Sequence, residues 1–394
     1  MKYRLFSLML VLLALTPVLP AAAQEAAVAD ACVTDYDAAV DYFPDKATIE
    51  YAQGFTVEYH NNYKLVTLAQ PWQGAEDPIQ YVLVQCGTPA PEDVEADAVI
   101  EVPVQKAVTM STTILPHIVG QGVLDQLVAV DTALYTNLPE ITANQEAGDL
   151  AEVSPNFGEI NTELLLDLEP DLIMSQRFDG TDEVYPTLQE AGLPVVLNAD
   201  FLDTTPLGQA EWGKYIALFF NTEAEAEAAF SGVAARYQEL VDLAASADTK
   251  PTVFANTPYD GNWFMPGGQS YLAQFFADAG AAYLWADDET TGSIFLDFES
   301  VFEQAADAEF WVNAGFFWQT KADALAEDER FAQFAAFENG QVYTNNGVVN
   351  ANGGSAYFET GVANPDLILA DLVKIFHPGL LPDHELYFYR QLGE

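Results

Sequence analysis

Arg177 carries the sharpest chemistry in this sequence. The chain holds 13 lysines and arginines against 60 aspartates and glutamates, and Arg177 comes just after the apolar run Leu172-Ile-Met174. A guanidinium beyond a strand end can pair bidentately with carboxylate or other oxygen groups of a ligand. Ser111, Thr112, Thr113 and Tyr135 offer single hydrogen bonds in the same half of the chain. The second half offers Tyr259, Trp263, Met265, Trp285, Phe316, Phe317, Trp318, Asn345 and Tyr357. Aromatic faces of this kind wall in large, flat or apolar ligands. Trp263 and Trp318 stand out, because a loop tryptophan needs a reason to be there.

Other chemistries find less support. His60, His117, His377 and His384 are scattered, and direct zinc or manganese binding needs convergent histidines and carboxylates. We therefore expect no metal-ligand set, and His117 reads as a helix-capping residue rather than a ligand contact. Asp287-Asp288-Glu289 reads as a solvated turn. No Gly-x-Ser-x-Gly elbow occurs. A secreted hydrolase with paired carboxylates is the enzymatic alternative, but no catalytic residue is assigned and the chain reads as a non-enzyme.

A net charge of -47 over 394 residues repels nucleic acid and anionic lipid headgroups. The 50% hydrophobic content still builds cores for two domains. Lys2 and Arg4, the apolar run Leu5 to Val18 and Ala21-Ala-Ala23 form a signal peptide over 1–23. That run is short for a membrane span, so export to the periplasm or the outer face of the cytoplasmic membrane is expected. Cys32 and Cys86 are the only cysteines. In an exported protein such a pair reads as a disulfide. Lipidation of Cys32 is the alternative, although Ala29-Asp-Ala31 does not read as a lipobox.

The elements that position these residues fall into two patterns. Thr48–Tyr51, Phe55–Tyr59, Tyr63–Leu68 and Tyr81–Gln85 alternate with period two, which predicts a small antiparallel β extension over 24–98 with a turn at Asn61-Asn62. From Val99, strands alternate with helices, as parallel βαβ units do. Strands are predicted over Val102–Met110, Leu127–Val130, Leu172–Met174 and Val195–Leu197. A first α/β lobe thus covers 99–222. A Thr222/Glu225 capping box opens one long helix over 223–247. A second α/β lobe covers 248–394, with strands at Thr252–Ala255, Phe310–Val312 and Val342–Tyr343 and a helix over Pro365–Phe376. One unit recurs in both lobes: Glu163 to Asp171 and Glu299 to Asp307 each read as a short helix ending in Asp before an apolar strand. The fold class is α/β, two Rossmann-like lobes joined by one long helix, with a ligand cleft between them.

The order of motifs resembles a known family. Val108-Thr-Met-Ser111 followed by Gly122-Val-Leu-Asp-Gln-Leu-Val-Ala-Val130 is similar to its opening strand–helix–strand. Leu168-Glu-Pro-Asp-Leu-Ile-Met174, Ala191-Gly-Leu-Pro-Val-Val196, Gly267-Gly-Gln-Ser270 and Ala277-Asp-Ala-Gly280 match in order. Over about 103–378 the chain resembles the class III substrate-binding proteins of ABC importers, those for siderophores and cobalamin. The resemblance implies a monomer that delivers a ferric chelate to a permease and ATPase complex, with no covalent cofactor. It implies ligand contacts on loops after the carboxyl ends of strands, the positions of the residues named above. A cobalamin carrier and a non-transport sensor are the alternative readings. The family docks through a Glu near the start of its first-lobe helix, and Thr112 to Val119 holds no acid here.

Overall fold

The computed structural model describes residues 32–155 and 159–394. The predicted signal peptide lies outside the described residues. A disulfide joins Cys32 to Cys86, and Val33 N–H donates to the Cys86 carbonyl at 2.8 Å beside it.

The N-terminal sheet has the order β1 (Phe55–Tyr59), β2 (Tyr63–Leu68), β3 (Ile79–Gln85), β4 (Ala98–Val102). The first three form an antiparallel meander that turns at Asn61-Asn62. β4 pairs with β3 in parallel, so the strand at the expected 98/99 boundary completes this sheet. The inner face of the sheet has no separate core. Phe55, Val66, Tyr81 and Val102 share one cluster with Leu172, Val196 and Trp212.

Two sequence expectations fail here for identifiable reasons. Thr48–Tyr51 is not a strand. The amides of Glu50, Tyr51 and Ala52 donate to the buried Glu211 carboxylate at 2.7–3.1 Å, and Lys214 donates to the Thr48 carbonyl. A buried carboxylate that collects three amides replaces a ladder. Val102–Met110 is not one strand either: β4 ends at Val102, before Pro103, and β5 (Ala107–Thr109) starts after it. Proline lacks the amide that a continuous ladder needs.

The first lobe is a parallel sheet of order β7 (Ala151–Glu152), β6 (Leu127–Val130), β5, β8 (Leu172–Ser175), β9 (Val195–Leu197). Its helices are α1 (Leu115–Gly120), α2 (Pro139–Ala147), α3 (Thr162–Leu168) and α4 (Val184–Glu190). The chain moves outward from β5 to β7, then returns to β8 on the other side. This makes β5/β8 the switch point where a crevice opens.

Two helices follow where one was expected. α5 (Pro206–Phe220) is capped by Thr205 and ends at Asn221, whose φ is +55°. α6 (Glu223–Ala245) follows at once. Almost every α5 residue is buried, the Glu211–Lys214 pair included, so α5 is a core helix. Its Trp212 and Tyr215 enter the first core, while Leu207 and Ala210 enter the second. The expected capping box does not form: Thr222 makes no side-chain cap and donates instead to Gln121 Oε1 at 3.0 Å.

The second lobe holds β10 (Thr252–Ala255), β11 (Pro258–Tyr259), β12 (Asn262–Pro266), β13 (Ala282–Tyr283), β14 (Ser293–Leu296) and β15 (Phe310–Val312). A parallel sheet runs β13-β10-β15, and an antiparallel one runs β11-β12-β14. β16 (Tyr343–Thr344) pairs with β17 (Arg390–Gln391) near the carboxyl end. The helices are α7 (Tyr271–Asp278), α8 (Phe298–Ala305), α9 (Lys321–Glu327), α10 (Ala335–Glu338), α11 (Thr360–Ala363) and α12 (Pro365–Phe376). The repeated unit is present: α3 leads into β8 as α8 leads into β15.

Candidate functional site

Strand ends from both lobes meet at a cavity of about 840 Å³. In the second lobe, Asn256 follows β10 and Asn313 follows β15, with φ of +61° and +50°. Asparagine tolerates this left-handed conformation, because its short polar side chain can bond locally. Asn256 Nδ2 donates to the Phe264 carbonyl at 2.7 Å, and Asn313 Oδ1 accepts from the Tyr389 hydroxyl at 2.7 Å. Both asparagines line the cavity, as do Asn345, Thr257 and Ser293. Its aromatic surface comes from Phe201 in the first lobe and Phe264, Tyr271, Phe316, Tyr357 and Phe358 in the second. Gln70 and Gln73 of the N-terminal sheet line it as well.

Among the described residues, one carboxylate lines this cavity, that of Asp203. It accepts from Trp212 Nε1 at 2.5 Å and from Gln53 N at 2.9 Å. Burial raises its pKa, against those hydrogen bonds. A second cavity of about 430 Å³ lies at the β5/β8 switch point. Ser111, Thr112, Tyr135, Gln176, Phe178 and Asp131 are among its lining residues. Burial pushes the Asp131 carboxyl up to about 6, with a smaller push from the Glu152 charge.

The expected site residues divide into four groups. Ser111, Thr112 and Tyr135 line the first-lobe cavity, and Asn345, Tyr357 and Phe316 line the larger one. Thr113 lines neither; its hydroxyl bonds Ser111 Oγ at 3.1 Å and accepts from Gln176 Nε2 at 3.3 Å. Arg177 also lines neither. Its guanidinium stacks over Trp72, 4.2 Å from the ring centroid, and donates to the Asp179 and Gly180 carbonyls.

Trp263, Met265 and Trp318 correct the sequence expectation, since all three are core residues. Trp263 and Met265 are wholly buried. Trp263 packs on Phe254 and Trp311 and donates to the Ala255 carbonyl. Trp318 packs on Trp311 and Phe331, so closely under Gly315 that a Cβ there would lie 2.1 Å from the ring. Trp263 and Met265 alternate onto the inner face of β12, and the short loop after β15 turns Trp318 inward, where burial of apolar area is worth most. Trp285 is half-buried against the second core beside Tyr283. Tyr259 and Phe317 are exposed, 77% and 82%. Phe317 lines a shallow recess of about 390 Å³. His117 caps nothing: it lies behind the cleft against Gly213 in a cavity of about 230 Å³, and burial lowers its pKa to about 4.

Sequence reasoning missed Asn256 and Asn313, although both directly follow strands it had placed. Phe264 sits between Trp263 and Met265, which it did name. Nothing in the sequence signalled Gln70 or Gln73. Among the described residues, the one Cys/His/Asp/Glu group spaced for a metal is Cys32, Cys86 and Glu101. Its two sulfurs are joined to each other, so the group does not fit an ion.

A family model described as periplasmic binding protein matches residues 108–347. The chain belongs to the periplasmic binding protein family. Members of this family are solute-binding proteins rather than enzymes. An uncharacterized lipoprotein of Methanocaldococcus jannaschii is 27% identical over 237 residues, 58% of this chain. That match covers 53% of the relative, so the chain spans about half the relative's length. Two solved structures share the fold. A possible iron-binding periplasmic solute-binding protein from Staphylococcus epidermidis is 14% identical, with a TM-score of 0.52, covering 70% of this chain and 99% of its own. A periplasmic heme binding protein from Pseudomonas aeruginosa is 21% identical, with a TM-score of 0.53, covering 70% and 94%. The N-terminal sheet lies outside the stretch that the periplasmic binding protein model matches. Among the described residues no helix is long and apolar enough to cross a membrane.

Proposed function

We propose that this periplasmic binding protein captures a metal–organic chelate of the ferric siderophore class outside the cytoplasmic membrane and hands it to an ABC importer. The observation that carries this reading is the 840 Å³ cavity between the lobes, walled by aromatic rings and by amide and hydroxyl groups. Sites for drug-sized ligands run from about 300 to 1,000 Å³ and combine an apolar lining with a few polar groups. A bare transition-metal ion would need converging histidines or carboxylates, and the cavity lining offers the Asp203 carboxylate and no histidine. A chelate brings its own metal ligands and needs only a shaped, partly apolar seat.

Intrinsic fluorescence titration tests the reading, because Trp72, Trp285 and the buried Trp263 lie in or beside the lobes that form the cleft. Ferrichrome, ferric enterobactin, haemin and cyanocobalamin serve as probes. Quenching that saturates with an iron chelate is expected. Saturation with cyanocobalamin alone would make this a cobalamin carrier. No response to any probe, checked by calorimetry, would overturn the reading.

A further inference from the structure

Resting on that reading, we propose that the Gln70–Gly74 loop of the N-terminal sheet completes the binding cleft and makes it select uncharged over anionic chelates. The loop holds Arg177 away from the ligand and presents Gln70 and Gln73 in its place.

The first observation is position. The β2–β3 loop belongs to a sheet outside the family match, yet Gln70 and Gln73 line the inter-lobe cavity. Both residues are solvent-exposed. The loop is fixed in place: Gln73 N–H donates to the Phe178 carbonyl at 3.1 Å, and Gln73 bridges Asp179 in parallel register. Phe178 in turn packs on the cavity residue Phe201, centroids 5.1 Å apart. The loop is therefore one edge of the site, joined to the first lobe by backbone and by rings.

The second observation is charge. Among the described residues, no Lys, Arg or His lines the inter-lobe cavity or the first-lobe cavity beside it, while Asp203, Asp131 and Asp182 do. The three internal residues outside the described set, Asn156, Phe157 and Gly158, carry no base. Arg177 is the base placed to change this, between the lining residues Gln176 and Phe178. Trp72 from the same loop stacks under its guanidinium at 4.2 Å, and the Asp179 and Gly180 carbonyls take its N–H groups at 3.2 and 3.1 Å. Cation–π stacking and carbonyl acceptance use both its face and its edge.

The consequence is electrostatic. An anion entering this cleft sheds hydration and meets no countercharge, in a protein of net charge -47. Glutamine amides donate and accept, so they suit the carbonyl and amide oxygens of a neutral chelate. They do not neutralise a carboxylate or catecholate.

The test uses the mature full-length protein and two iron chelates: uncharged ferrichrome and trianionic ferric enterobactin, with dianionic haemin as a third probe. The wild type is expected to bind ferrichrome at least about tenfold more tightly than either anion. Gln70→Ala with Gln73→Ala should weaken ferrichrome about tenfold while the melting temperature holds. Trp72→Leu should free Arg177 and narrow the gap, and adding Arg177→Gln should reopen it. A wild type that prefers an anionic chelate overturns the inference, as do loop variants that bind every chelate as the wild type does. In both cases the chelate-carrier reading stands. A wild type that binds none of these probes overturns that reading itself.

Discussion

The Thr136 hydroxyl of the first lobe donates to the Glu359 carboxylate of the second at 2.5 Å, so the lobes are joined away from their connecting helices. Asn137 N–H donates to the other oxygen of Glu359 at 2.7 Å. Asn350 Nδ2 reaches the Leu134 and Thr136 carbonyls, and Asn137 Nδ2 reaches the Gly354 carbonyl. Gly354 sits so close that a Cβ there would lie 2.0 Å from the Tyr135 carbonyl oxygen. With α5 and α6 as stiff connections, this latch opposes a wide hinge. Radius of gyration by small-angle scattering should change by less than about 1 Å on ligand binding, as in a preformed site. A contraction of several times that would show a hinge. Glu359→Ala should expand the free protein and speed proteolysis of the 350–359 loop, because Thr136 and Asn137 lose their shared acceptor.

Lys64 and Glu223 tie the N-terminal sheet to the start of α6. Both side chains are buried, and Lys64 Nζ also donates to the Leu218 carbonyl at 2.7 Å and Asn221 Oδ1 at 2.9 Å. Removing one partner of a buried pair strands the other charge, at a cost of about 3–5 kcal/mol. Lys64→Met should therefore destabilise the protein by that amount in urea unfolding. Lys64→Met with Glu223→Leu should recover most of the loss, since no unpaired charge then remains. A single variant of wild-type stability would mean that water reaches Glu223.

What could be read from the sequence follows the physics of each signal. β15, and β8 up to its last residue Ser175, are apolar runs after a short helix, so composition and turn residues located them. α5 was missed because Pro206–Phe220 is buried on nearly every side, Glu211 and Lys214 included, and so has no amphipathic stripe to count. Thr48–Tyr51 alternated like a strand, but the Glu211 carboxylate, about 160 positions away, claimed its amides. Trp263 misled because it was read as a loop residue but sits on the inner face of β12, and Trp318 because residue type cannot tell whether a loop side chain turns inward. Arg177 failed for a similar reason: the Trp72 ring that occupies it lies in a different sheet, and no local pattern links the two. The carboxyl-end rule did reach Asn345, and applied to every strand it would have reached Asn256 and Asn313.

Gly232 and Gly213 sit inside α6 and α5 and should respond in opposite directions. A Cβ at Gly232 meets only Arg236 Nη1, at an ordinary contact distance of 3.4 Å, whereas at Gly213 it would lie 2.5 Å from His117 Nδ1. Glycine costs a helix about 1 kcal/mol relative to alanine. Gly232→Ala should stabilise the protein by roughly 0.5–1 kcal/mol and leave chelate affinity unchanged. Gly213→Ala should destabilise it by about 1–3 kcal/mol through overpacking of α1 on α5. Thermal melts of the two variants check both signs, and a stabilised Gly213→Ala would show that His117 can swing into its adjoining cavity.

Asp131 sets a pH dependence with a definite sign. Burial raises its carboxyl from 3.8 to about 6 in the folded protein, and the nearby Glu152 charge adds to that. Between those values the folded state holds a proton that the unfolded state has released. Its contribution to stability is therefore full below about pH 4 and is lost as pH rises through about 6. A shift of about two units corresponds to at most about 3 kcal/mol. Asp131→Asn keeps the shape without the charge, so its advantage over the wild type should be small at pH 4 and grow to about 1–3 kcal/mol at pH 7. Urea midpoints measured across that range check the prediction. Parallel wild-type and variant curves would place the Asp131 carboxyl at its ordinary value and show that water fills the first-lobe cavity around it.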